Sequence, residues 1–330
     1  MDMQMFIVVF VFVIGAFGLW GNVNIVVATI RKKEFQSKCG ILIAILACGD
    51  TLCIGFVWHN ALRSFIPNST YRTVCFWTMS PYLFALNFQS CFMFMIACDR
   101  LLAICIPIKY RVMSTRLYIL LCAVPGILFG SATVIFSALM LEEETIRICN
   151  PSFVLPDIVN VVNNRFSLLS STLTLCMYVG SIVMLHVKRK QMRKRSERGL
   201  EYSHLMQQQK VMRTITLVVV VFLCSWFYAH LSVFVALSFD VSNWFLDFAK
   251  QTVTIPAMVC YTTNYYIYLW RSRDYRKAFL EHLMFLRACG SKSTINVFRI
   301  SVHQSSSESY CGPTLPQNGS NNTVRTKQTI

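Results

Sequence analysis

Residues 98–110 read Cys98-Asp99-Arg100-Leu101-Leu102-Ala103-Ile104-Cys105-Ile106-Pro107-Ile108-Lys109-Tyr110, an acid and a base set at the end of a long apolar run. Counting back from Arg100 to Cys75 along an α-helix covers roughly 37 Å, more than the ~30 Å hydrocarbon core of a bilayer. One end of that helix carries a cysteine and the other an arginine. Tyr82 lies a whole number of turns before Arg100, so the two project from one face roughly 27 Å apart. Such a face can join a pocket at one end to a switch at the other.

Composition places this helix in a membrane. Of 330 residues, 55% are hydrophobic and 14% charged, whereas soluble domains average about 25% charged. Apolar residues fall in seven blocks, near 5–29, 39–62, 75–106, 117–141, 164–187, 211–238 and 245–270. Each is long enough to cross a bilayer. The fold class expected is an all-α membrane protein, a seven-transmembrane helix bundle. The first block has no basic stretch before it, so it reads as a retained helix rather than a removable signal peptide.

A net charge of +16 can signal nucleic-acid binding, but the distribution speaks against it. With the N-terminus outside, 26 of the 31 basic residues fall on the cytoplasmic side, as the positive-inside rule requires. The remaining five, Arg63, Arg72, Arg147, Arg165 and Lys250, lie at the outer helix ends. Orientation is therefore N-terminus extracellular and C-terminus cytoplasmic. Of 14 cysteines, Cys75 and Cys149 are the two that this topology puts outside, in the oxidising compartment, and they form the natural disulfide pair.

Polar residues inside the blocks mark what the bundle must satisfy. Asn22 and Asp50 sit at bilayer depth, where an amide or carboxylate needs a partner. For Asp50 either Asn22 or Asn264 can serve. Gly126 and Gly130 allow close helix contact within the bundle or between two copies. Asn68-Ser69-Thr70 is a glycosylation sequon on the outer side. Lys188 to Lys210 reads as a short basic loop that attracts anionic lipid and offers a docking surface to an acidic cytosolic partner.

After the seventh block, Ser272 is placed to cap a short amphipathic surface helix over about 272–287. Tyr275, Phe279, Leu283 and Leu286 form its apolar side, and Arg273, Arg276 and Lys277 face headgroups. Cys289 just beyond is a palmitoylation candidate or a free thiol. Residues 1–287 thus form the membrane domain. Residues 288–330 form a disordered tail, rich in Ser and Thr, which phosphorylation can turn into a docking segment.

Taken in order, Gly21-Asn22, Leu46-Ala47-Cys48-Gly49-Asp50, Cys75, Asp99-Arg100-Leu101 with Pro107 and Tyr110, Cys149, Tyr178, Phe222 with Trp226, and Asn264 to Tyr268 resemble rhodopsin-like seven-helix G-protein-coupled receptors over about Gly21 to Phe279. Within that family, Cys98-Asp99-Arg100-Leu101, Cys224-Ser225-Trp226-Phe227 and Asn264-Tyr265-Tyr266-Ile267-Tyr268-Leu269-Trp270 look like nematode serpentine chemoreceptors.

The resemblance implies a receptor in the plasma membrane, including that of sensory cilia, with a small extracellular ligand and a heterotrimeric G protein as partners. Arrestin on the phosphorylated tail is a further implied partner, and no cofactor is implied. It also implies an odorant-type ligand pocket from Tyr82, Leu86, Asn87, Trp226, His230, Lys250 and Thr254. The coupling switch would consist of Asp99, Arg100, Tyr178 and Tyr268, with Arg100 held by Asp99 at rest and turned toward the two tyrosines when active.

Departures from the family pattern are specific. Ser170, Tyr228 and Tyr265 stand where prolines are usual in helices five, six and seven, with Pro256 as another place for a bend. Tyr82 stands where amine receptors carry an aspartate. Gln207-Gln208-Gln209 replace an acid that faces the arginine in some relatives. Gln89 replaces a small hydroxyl residue, which weakens the case for sodium near Asp50. A neuropeptide-type receptor is the alternative within the family. A transporter or channel fits poorly, since internal repeats and several pore charges are missing. An enzyme fits worse still, with neither a metal-spaced ligand set nor an activated nucleophile in the sequence.

Overall fold

The computed structural model describes residues 3–63, 70–146, 149, 154–195, 200–238, 254–282 and 284. Asn68, Lys250, Cys289, the seventh block before 254, and the tail with most of 283–330 lie outside the described residues. The first five spans are the helices Met3–Arg31, Lys38–Arg63, Arg72–Cys105, Thr115–Leu139 and Asp157–Arg195. The sixth runs as Leu200–Phe222, a π-helical turn Leu223–Phe227, and Tyr228–Ser238. The seventh is Thr254–Arg271. Among the described residues, six of these spans are long and apolar enough by themselves to cross a membrane.

The third span is the axis of the bundle. It packs most extensively on the fourth and fifth spans and also touches the second and sixth, while the first packs on the second and seventh. Its long helix carries Pro81, which removes one N–H and frees the carbonyl four residues earlier. Ser80 Oγ donates to that carbonyl, Trp77 O, at 3.1 Å. Gly126 and Gly130 settle the contact between the third and fourth spans. A Cβ on either would stand about 2.9 Å from a ring atom of Phe88 or Phe84, close to the same residues' carbonyls. The small-residue face packs inside the bundle.

The disulfide end is pinned three ways. Cys75 and Cys149 are joined, with Cα atoms 5.8 Å apart. Thr70 and Tyr71 pair antiparallel with Ile146 and Thr145. Beside them, Arg72 Nη2 meets Glu144 Oε2 at 3.0 Å.

At the opposite end, two expectations change. Residues 188–195 and 200–210 are helical extensions of the fifth and sixth spans rather than a loop. Lys, Arg, Gln and Met are good helix formers, and no glycine or proline interrupts them until Gly199. The helix after the seventh span covers 273–282, and Ser272 Oγ accepts from Tyr275 N at 3.4 Å as its cap. Its apolar side turns into the bundle. The Tyr275 ring lies 4.3 Å from Phe35 and 5.0 Å from Tyr268, and Phe279 lies 4.6 Å from Tyr265. Arg276 does not reach for headgroups. Its Nε donates to Leu269 O at 2.9 Å and its Nη2 to Trp270 O, satisfying carbonyls that the end of a helix leaves open. Leu283 and Leu286 lie outside the described residues.

The positions of the missing prolines are filled in three ways. In the fifth span Ser170 Oγ donates to Ser90 O of the third span at 3.1 Å, a cross-link that proline cannot make. In the sixth, the π turn ends just before Tyr228, and Ser225 Oγ takes Val221 O at 2.5 Å. π turns are a recognised cause of helix bending without proline. In the seventh, Tyr265 packs against the first span at Gly21, where a Cβ would come within 2.5 Å of Tyr265 Cβ. Pro256 stands near the start of the described part of the seventh span, and the residues before Thr254 lie outside the described residues.

Candidate functional site

The polar centre of the bundle forms around Asp50, which is 2% exposed. Its Oδ2 accepts from Asn264 Nδ2 at 2.8 Å and its Oδ1 from Gln89 Nε2 at 2.7 Å. Gln89 Oε1 accepts in turn from Cys53 Sγ at 3.3 Å. Asn22 is not a direct partner. Its Nδ2 donates to Tyr261 O at 3.0 Å, because it faces the seventh span. Gln89, longer than the hydroxyl residue usual at its position, thus reaches the carboxylate itself.

Toward the disulfide end a cavity opens with a volume of about 90 Å³. Tyr82, Leu86, Asn87, Trp226, His230 and Thr254 all line it, which brings together six of the seven residues expected there; Lys250 lies outside the described residues. The fifth span adds Asn160, Asn163, Asn164 and Ser167, which the sequence reading missed. Their spacing of three, four and seven is that of one helical face. That spacing is the signal that would have found them. The structure begins this span at Asp157, one turn or more before the expected start at 164.

Within the cavity Asn164 and His230 make a reciprocal pair. His230 Nδ1 and Asn164 Oδ1 are 2.7 Å apart, and Asn164 Nδ2 donates to His230 O at 3.4 Å. The Trp226 ring meets His230 edge-on at 4.8 Å. Buried His230 Nε2 and Asn163 Oδ1 have no hydrogen-bond partner.

Below this cavity lies a smaller one of about 30 Å³, lined by Asp50, Gln89, Asn264, Phe222 and Cys260 among others. Leu86 and Trp226 line both. Trp226 is therefore the shared wall between the cavity and the polar centre, and it sits in the π turn.

At the far end of the third span Asp99 and Arg100 are almost wholly buried, at 0% and 2% exposure. Arg100 Nε donates to Asp99 Oδ2 at 2.9 Å, and Nη2 donates to the same oxygen. The other carboxylate oxygen accepts from Tyr110 Oη at 2.8 Å. Tyr110 belongs to the short helix Pro107–Val112. Burial, and next to it the Asp99 carboxylate, push its hydroxyl above the ordinary tyrosine range, so it remains a donor.

Lys38 fixes this helix from the second span. Its Nζ donates to Tyr110 O and sits 4.6 Å from the Tyr110 ring centre, a cation–π geometry. Lys188 Nζ donates to Ile104 O and Cys105 O at 2.7 and 2.9 Å. Those carbonyls end the third span, where a cation is favoured.

Tyr178 and Tyr268 are buried nearby. The Tyr178 hydroxyl donates to Met212 O at 3.1 Å, so its hydrogen bond runs between the fifth and sixth spans. Gln209, with its amide oxygen turned toward them, accepts from Arg189 and Arg213 at 3.0 and 3.2 Å. It does not face Arg100; the side chains of Gln207 and Gln208 lie outside the described residues. No group of three or more His, Cys, Asp or Glu suited to a metal ion occurs among the described residues.

Comparison with known proteins places this arrangement. Residues 13–283 match the family model described as serpentine type 7TM GPCR chemoreceptor Srsx. No curated protein matches the chain.

Proposed function

We propose that this chain, which belongs to the Srsx family of serpentine seven-transmembrane G-protein-coupled chemoreceptors, binds a small extracellular molecule in the 90 Å³ cavity and activates a heterotrimeric G protein at its Arg100 end. The distribution of basic residues supports an orientation with the disulfide end and N-terminus outside. The observation that carries the mechanism is the double role of Trp226, which lines both the upper cavity and the cavity at Asp50. A ligand that repacks Trp226 alters the wall of the polar centre and the π turn together. It acts by its differential affinity for two arrangements of the bundle. Moving the population from 1:99 to 99:1 takes about 5.5 kcal/mol.

Activation then frees Arg100 from Asp99, and Arg100 turns toward Tyr178 and Tyr268 as the sixth span moves outward. Residues 1–287 act as the receptor domain and 288–330 as a cytoplasmic tail that takes up phosphate and arrestin. Asn68 is its glycan acceptor and Cys289 its palmitoyl acceptor. An odorant-type ligand fits a sensory-membrane location, cilia included.

The test is G-protein activation in membranes holding wild type or Arg100→Ala at matched surface levels, against small volatile, acidic and peptide compounds. A wild-type response lost in the variant supports the reading. A response that persists in Arg100→Ala overturns the coupling role.

A further inference from the structure

We infer that the ligand is a small neutral molecule carrying a hydroxyl or N–H donor, recognised by two acceptors in the cavity, His230 Nε2 and Asn163 Oδ1. The inference rests on the proposed binding role of that cavity and deepens it. Its starting point is the Asn164 amide. The His230 carbonyl can only accept, so Asn164 must present Nδ2 to it, at 3.4 Å, and Oδ1 to the His230 ring, at 2.7 Å. An amide oxygen can only accept, so His230 Nδ1 carries the proton. In the neutral ring Nε2 is then a bare lone pair.

That lone pair is buried without a partner, and so is the amide oxygen of Asn163. Both side chains line the same cavity. An imidazolium here would be a buried charge, and the described lining residues include no carboxylate to balance it. The remaining walls combine apolar and aromatic residues, among them Val57, Met79, Leu83 and Trp226, with the neutral polar side chains of Asn60, Asn87, Asn160, Asn164, Ser167 and Thr254.

Unsatisfied buried acceptors are costly, and a ligand donor removes that cost only in the bound state. A molecule of the same size lacking the donor leaves them as they are, which is how such a site rejects an isostere. Carboxylate ligands would place an acceptor against an acceptor. The Trp226 edge 4.8 Å from His230 puts this contact beside the wall shared with the polar centre.

The experiment measures Tm of the full chain, purified in detergent micelles, with matched six- to eight-carbon sets of alcohols, phenols, primary amides, methyl ethers, ketones and carboxylates. Wild type should be stabilised by donor compounds at concentrations about tenfold lower than by the matched ethers and ketones. His230→Phe and Asn163→Leu should each erase that tenfold preference, while His230→Gln, which keeps an acceptor at the ring's far end, retains most of it. The unliganded Tm of each variant reports folding separately.

Equal or greater stabilisation by ethers or carboxylates overturns the assignment, as does the lack of any shift with the donor sets or a preference that survives His230→Phe. Donor-selective stabilisation without G-protein activation in membranes would uphold this inference and overturn the proposed coupling.

Discussion

At the Arg100 end, charge and hydroxyl are closed on one another. Arg100 holds one Asp99 oxygen, Tyr110 the other, and Lys38 and Lys188 tie down the neighbouring backbone. At the disulfide end the tie is covalent, yet the cavity beneath it keeps two buried acceptors without partners. The difference teaches where energy can enter. A closed ion pair loses stability when touched, while an unsatisfied pair of acceptors gains when a donor arrives. A stimulus at one end can therefore be spent at the other.

The contrast breaks most visibly at Asp99. Replacing Asp99 by Asn leaves a buried guanidinium without its counter-charge, which costs the resting arrangement about 3 kcal/mol. Ligand-free GTPγS binding in matched membranes should rise by tenfold or more; basal activity equal to wild type would mean that the pair is not the resting lock. Next in size is Cys75→Ser, which removes the covalent tie and should cost about 2–3 kcal/mol of stability. It should lower Tm while leaving basal activation per folded receptor unchanged. A rise in basal activation would show that the two ends are not separable. The smallest effect expected is that of Tyr110→Phe. It deletes one hydrogen bond to a carboxylate, about 1 kcal/mol, and basal activation should climb only a few-fold.

The fold was open to reading because bilayer thickness imposes a length on every span, and the pairing of Cys75 with Cys149 because topology left two cysteines outside. That Tyr82, Leu86, Asn87, Trp226 and His230 share a cavity was legible through the family resemblance; helical periodicity adds only that Tyr82 and Leu86, and likewise Trp226 and His230, lie on one face of their own helix. Three features stayed hidden for physical reasons. Asn160 and Asn163 precede the apolar run of their span, so a reading based on hydropathy assigns them to a loop. Residues 188–195 and 200–210 are helical through backbone propensity, which leaves no apolar pattern. Asn22 was legible as a residue needing a partner, but its choice of the Tyr261 carbonyl over Asp50 follows from the packing of the first span on the seventh.

The π turn at Leu223–Phe227 also sets the phase of the sixth helix. Such a turn holds one residue more than an α turn, and each α-helical residue advances about 100° around the axis. The residues from Tyr228 onward are thus rotated by roughly that angle from where uninterrupted winding would put them, and His230 owes its position on the Asn164 face to that extra step. Deleting a single residue from the turn would shorten the helix by ~1.5 Å yet swing His230 around the barrel toward a different neighbour. Receptors of otherwise similar sequence can then differ in what they bind through one insertion or deletion, with every side chain of the pocket unchanged.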